Sequence, residues 1–168
     1  MLNGTSATTI EPGSATTRAQ LVTILWRQNG CPTPTRTCSF TDLGSADDPA
    51  ASWYLDAVAW AAETGVVNGT SATTFDPNSC VSRQETAAIL YRYAQNVLGK
   101  DVSGVKDISA FPDYSSVSDY ARTPMAWAYA GGLITGNVID GVTCLDPLGN
   151  ATRAQTAKIL MCFCENVA

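Results

Sequence analysis

Arg18, Arg83 and Arg153 each follow a hydroxyl residue, in Thr17-Arg18-Ala19-Gln20, Ser82-Arg83-Gln84-Glu85 and Thr152-Arg153-Ala154-Gln155. A guanidinium grips a carboxylate through two parallel hydrogen bonds, and the free amides of a helix start add to the attraction for an anion. The helix macrodipole disfavours a cation at that end by about 0.3–1 kcal/mol, so three such placements call for a partner. Two partners satisfy the chemistry. One is an anionic ligand, and the other is an acid of a neighbouring segment, such as Asp42, Asp56 or Asp113.

Little else in the chain points to reaction chemistry. With no histidine there is no Ser-His or Cys-His arrangement and no usual general base. The six cysteines include no Cys-x-x-Cys pair, which leaves no recognisable zinc site. Asp47 and Asp48 stand in a Ser-Ala-Asp-Asp-Pro turn as ordinary solvated residues. The sequence therefore predicts neither an enzyme nor a bound metal or cofactor. A net charge of −5 without a basic run argues against nucleic acid as a partner. No apolar stretch approaches the roughly 20 residues that span a bilayer. Met1-Leu2-Asn3-Gly4-Thr5 has neither the basic segment nor the apolar core of a signal peptide, so any export signal is expected outside this chain.

The elements that carry the arginines are helices with reciprocal caps. Thr17, Ser82 and Thr152 stand at N-cap positions, with Gln20, Glu85 and Gln155 three residues on, the pattern of a capping box. Capping alone explains those three polar side chains, which need not touch a ligand. Behind them run apolar stripes: Leu21, Ile24 and Leu25; Ile89, Leu90 and Tyr93; Ile159, Leu160 and Phe163.

Self-similarity extends well beyond the caps. Asn3 to Pro12 returns nearly letter for letter as Asn68 to Pro77, and in part as Thr135-Gly136 and Leu145-Asp146-Pro147. A second block runs from Phe40-Thr41-Asp42 through Trp53 and Trp60 to Gly65, and recurs as Phe111-Pro112-Asp113, Tyr120, Trp127 and Gly132. The reading is half a unit followed by two whole ones, with boundaries at 1–30, 38–97 and 108–168. No single unit buries its own apolar face. The predicted fold class is all-α, with tandem helix-loop-helix repeats packed as a pseudo-threefold bundle.

Trp60 and Trp127 fall on apolar helical faces and read as core, whereas Trp53 is the better placed to face a groove. Gly65 and Gly132 are expected to end their helices in the left-handed region, and Gly69 and Gly136 to serve the following turns. The third copy departs from the pattern. Pro124 aligns with Ala57, so its helix either starts late, with Thr123 as N-cap and Pro124 first, or is kinked. Its Gly136-to-Asp146 loop is also longer than the Gly69-to-Asp76 loop.

The order Phe-x-Asp, Trp helix, Gly-x-x-x-Gly, Phe-x-Pro, Thr-Arg-Ala-Gln and Ile-Leu resembles the S-layer homology domain, over nearly the whole chain. That resemblance implies an extracellular module at the bacterial cell wall. It would anchor a surface protein to secondary cell-wall polysaccharide, an anionic and often pyruvylated polymer held in grooves between repeats. It also implies glycan contacts by Arg18, Arg83, Arg153, Trp53, Asp42 and Asp113, with backbone approach at Gly69 and Gly136. An exported chain with six cysteines suggests disulfides, of which Cys31–Cys38, flanking Pro32-Thr33-Pro34, is the favoured pair. The alternative function is a protein-interaction module completed by another polypeptide segment. With three Arg-bearing helices and two Trp-bearing ones, the stripe Leu21, Val22, Ile24, Leu25 and Trp26 is expected to lie open for a partner chain or an N-terminal segment.

Overall fold

A computed structural model describes Thr9 and residues 11–167; the repeat-turn residues Asn3 to Thr8, and Ile10, lie outside the described residues. The described residues form five α-helices, α1 (Arg18–Gln28), α2 (Leu55–Glu63), α3 (Arg83–Asn96), α4 (Arg122–Ala130) and α5 (Arg153–Asn166), and one hairpin of β1 (Asn137–Ile139) and β2 (Val142–Cys144). The all-α expectation holds, and the hairpin is its one addition. Two compact units divide the chain: residues 16–81 with the leading segment to Glu11, and residues 82–168 with Pro12–Ala15.

In the first unit α1 packs on α2. Thr17 closes its capping box as expected, with its hydroxyl accepting from the Gln20 amide and the Gln20 side chain accepting from the Thr17 amide at 3.1 Å. Leu21, Val22, Ile24 and Leu25 are buried in the chain itself, so the stripe expected to lie open is covered. The helix count misled because α2 packs on α1, the helix of the preceding repeat. Trp60, also buried, plugs the core as read, and Gly65 takes φ 69° to end the α2 segment.

In the second unit α4 packs on α3, and Tyr93, Trp127 and Phe163 form an aromatic core with Tyr93 and Phe163 rings 5.8 Å apart. Ser82 and Thr152 close capping boxes with Glu85 and Gln155. The α4 helix does not start late. Its first residue is Arg122 and its N-cap position is Ala121, which places Pro124 third, in register with Ala57 of α2. The first four amides of a helix have no intrahelical partner, so proline loses nothing there and no kink is needed. The longer loop of the third copy folds into the β1–β2 hairpin, whose Asp140-Gly141 turn has φ 50° and 80°, the positive pair of a type I′ turn.

No disulfide joins the cysteines. Cys31 and Cys38, the pair expected to be joined, are both free thiols, and other bonds hold the proline link. Trp26 Nε1 donates to Pro32 O at 2.8 Å, and both the Thr35 amide and its hydroxyl donate to the Glu63 carboxylate at the end of α2. Among the described residues no helix is long and apolar enough to cross a membrane.

Candidate functional site

One loop, repeated, determines where the arginines go. In the first unit Arg18 is 5% exposed, its Nε donating to Phe75 O at 2.8 Å and its guanidinium to Asn68 O at 3.2 Å. The backbone amides of Arg18 and Ala19 donate to Ser79 O and Pro77 O. Asp42 completes the clamp from the other side, its carboxylate accepting from the amides of Phe75 at 2.9 Å and Asp76 at 2.7 Å. Partial burial pushes the Asp42 carboxyl up, but those amides, with the charge of Arg18, leave it below its usual range.

The second unit repeats the construction. Arg83, 4% exposed, donates from Nε to Leu145 O at 3.0 Å, and the amides of Arg83 and Gln84 reach Gly149 O and Pro147 O. Asp113 accepts from the amides of Leu145 and Asp146. Burial pulls the Arg83 guanidinium down, opposed by the charges of Asp146 and Asp113. Asp76 and Asp146 both hold positive φ, 65° and 53°, just before a proline. A costly backbone turn is thereby locked by a carboxylate on one side and a guanidinium on the other.

The structure thus brings Arg18, Asp42 and the loop beginning at Gly69 together in one unit, and Arg83, Asp113 and Gly136 together in the other. Each arginine and aspartate holds a loop backbone, a role between the two sequence alternatives of ligand contact and simple ion pair. Arg153 is equally buried, with its amide on Ser14 O at 2.8 Å. Trp53, 40% exposed, sits apart, its Nε1 bonded to Ala50 O and its ring edge-on to Tyr54.

A cavity of about 230 Å³ opens in the second unit beside Arg83. Its walls are Arg83, the backbone segment Leu133–Asn137, and Gln155, Lys158 and Ile159 of α5. Two cations and no carboxylate line it, in a chain of net negative charge. Gly136 lets the loop approach: at φ 87°, an added Cβ would stand 2.8 Å from Thr143 Cγ2. Asn137 is steadied by donating to Asp146 at 2.9 Å. Sequence reasoning missed Lys158, and gave Gln155 a capping role that does not exhaust it. The signal lay in alignment: Lys158 falls five residues after its arginine, where the other copies have Thr23 and Ala88.

The model of the S-layer homology domain matches residues 39–87 and 110–157. The chain belongs to the S-layer homology family. It is 36% identical over 75% of its length to a surface-layer 125 kDa protein of Lysinibacillus sphaericus. It is also 32% identical over its whole length to an endoglucanase of a Bacillus species, strain KSM-635. An amylopullulanase of Thermoanaerobacterium thermosulfurigenes is 30% identical over 95% of the chain. The chain spans only 10%, 17% and 8% of these relatives. As an S-layer homology module, it is a cell-surface, wall-anchoring element and not the catalytic part of such proteins.

Proposed function

We propose that this module anchors its protein by binding an anionic secondary cell-wall polysaccharide, possessing three repeats at 1–30, 38–97 and 108–168. The observation that carries the reading is the Arg83–Lys158 cavity, whose lining offers two cations and two side-chain amides, Gln155 and Asn137, and no carboxylate. A carboxylate-bearing sugar, such as a pyruvylated residue, matches that set: carboxylate to the cations, hydroxyls to the amides. Arg83 is already held by Leu145 O, so its orientation is fixed before the ligand arrives. Arg18, Arg153, Asp42, Asp113, Gly69 and Trp53 complete the proposed glycan-binding set, the first four chiefly by shaping the loops.

Binding to purified cell-wall sacculi, measured before and after chemical removal of the attached polymer, tests this. Retention on intact sacculi and loss on stripped ones is the expected result. Equal retention on both would sink the polysaccharide reading and favour a protein-interaction module.

A further inference from the structure

A short phrase is written twice into the segment that joins α3 to α4: Lys100-Asp101-Val102-Ser103 and Lys106-Asp107-Ile108-Ser109. Each copy folds on itself in the same way. Asp101 accepts from the Ser103 amide at 2.9 Å and Asp107 from the Ser109 amide at 2.8 Å, so both carboxylates are engaged by their own turns. Val102 and Ile108 are buried and anchor the segment. The lysines are pinned at the backbone, the Lys100 amide donating to Ala94 O of α3 at 2.9 Å and the Lys106 amide to Ala126 O of α4 at 3.3 Å. Their side chains are exposed, and among the described residues neither forms an ion pair.

The consequence is a second cationic pocket, of about 460 Å³, with Lys100, Lys106, Val105, Trp127 and Asn166 in its walls. That volume lies within the roughly 300–1,000 Å³ of sites that hold small ligands. Asp101 is the one acid in the lining, and Ser103 already bonds it through both its amide and its hydroxyl. Val105 and the Trp127 indole supply an apolar wall. Asn166 is steadied by donating to Gly131 O at 3.0 Å, which leaves its amide oxygen as an acceptor. Two ammonium groups, one amide oxygen and a short apolar wall suit a sugar that bears an acid group: the acid to the lysines, a hydroxyl to Asn166, the C–H face of the ring to the wall. The pocket is separate from the Arg83 cavity. Lys158 lines that cavity and Asn166 lines this one, eight residues further along α5, about 12 Å of helix axis.

We propose that the Lys100–Lys106 pocket is a second binding site for acid-bearing sugars of the same polymer, so that one strand is held near both ends of α5. This rests on the reading of the ligand as an anionic polysaccharide. Once the strand is bound in one pocket, its entry into the other is intramolecular, and retention exceeds what either pocket gives alone.

The test uses the whole chain and polymer released from purified sacculi, sorted by length into single repeating units and strands of several units. Lys100→Glu combined with Lys106→Glu should weaken binding of the long strands about tenfold or more while leaving the melting temperature unchanged. Titration calorimetry with single units should find about two bound per parent chain and about one per variant chain. Lys100→Arg combined with Lys106→Arg keeps both charges and should bind the long strands as the parent does. Long-strand affinity equal to the parent's in the double glutamate variant, alongside loss in Lys158→Glu, would overturn this proposal and leave the polysaccharide reading intact. A parent that binds neither length would overturn that reading itself. Weakened retention of the double glutamate variant on sacculi already stripped of polymer would also overturn the proposal, because a wall peptide would then be the occupant.

Discussion

Arg18 holds Phe75 twice, by a 2.8 Å hydrogen bond from Nε to the carbonyl and by a guanidinium carbon 4.9 Å from the ring centroid. Both contacts use the planar fork of arginine, which a lysine ammonium cannot reproduce. Arg18→Lys should therefore destabilise the chain by about 1.5–3 kcal/mol, the range for losing a hydrogen bond to a charged group. Arg18→Ala should cost more, since it also leaves Phe75 O and Asn68 O without their donors. Thermal and urea unfolding measure both, and a lysine variant as stable as the parent would reduce the arginine to a surface charge.

The paired clamp on the opposite side titrates. Asp42 has its carboxyl pKa lowered in the folded state, so its contribution is present above the ordinary carboxylate pKa and is lost as pH falls through the lower folded value. Unfolding midpoints should hold steady from neutrality down to about pH 5 and decline below about pH 4, where the carboxyl binds a proton in the unfolded chain while the folded Asp42 still resists it. Asp42→Asn should flatten part of that decline and cost about 1 kcal/mol at neutral pH, a low figure because the carboxylate is largely exposed. The check is a set of urea melts across pH for both chains; identical slopes would remove Asp42 from the account.

Much of this architecture was legible in the residues. The capping boxes needed only Thr17-to-Gln20 spacing, because cap geometry is local, and Trp60 as core followed from helical periodicity. Partner choice was not local. That α2 covers α1, and so buries Leu21 and Leu25, depends on which loop bonds to which helix start, a long-range relation that no sequence period encodes. Asp42 and Asp113 were picked as acids for the arginines, but their two-amide grip on the Phe75 and Leu145 loops became visible only with the backbone traced. The hairpin was readable in Asp140-Gly141 between β-branched residues, yet the helical frame of the other copies drew attention away from it.

Pro124 gives a prediction of near-neutrality. Because it stands third in α4, Pro124→Ala restores an amide that has no helical acceptor and gains only a better helix former. The change in stability should stay within about 1 kcal/mol, against about 3 kcal/mol expected had the proline interrupted the helix. Circular dichroism during thermal melting decides between the two positions.

Gly136 should be intolerant for two independent reasons. Its φ of 87° suits only a residue without Cβ, and an added Cβ would meet Thr143 Cγ2 and Cys144 O at 2.8 and 3.1 Å. Gly136→Ala is expected to lose about 1–2 kcal/mol and to displace the Thr135–Asn137 wall of the cavity. Gly136→Ala with Thr143→Ser removes the methyl clash but not the dihedral cost, so it should recover part of the stability. Full recovery would show that the left-handed conformation carries none of the penalty.

Lys158 separates binding from folding. Its side chain is exposed and lines the cavity, whereas Arg83 is buried and bonded to the loop it supports. Arg83→Ala should thus lower both stability and polymer retention, which leaves its loss of binding ambiguous. Lys158→Glu should leave the melting temperature within a degree or two and still cut retention on intact sacculi about tenfold or more, by placing a carboxylate against an anionic polymer. The parent's retention should weaken as salt is raised toward 1 M, where the screening length falls to about 3 Å. Retention by Lys158→Glu equal to the parent at low salt would exclude this cavity as the polymer site.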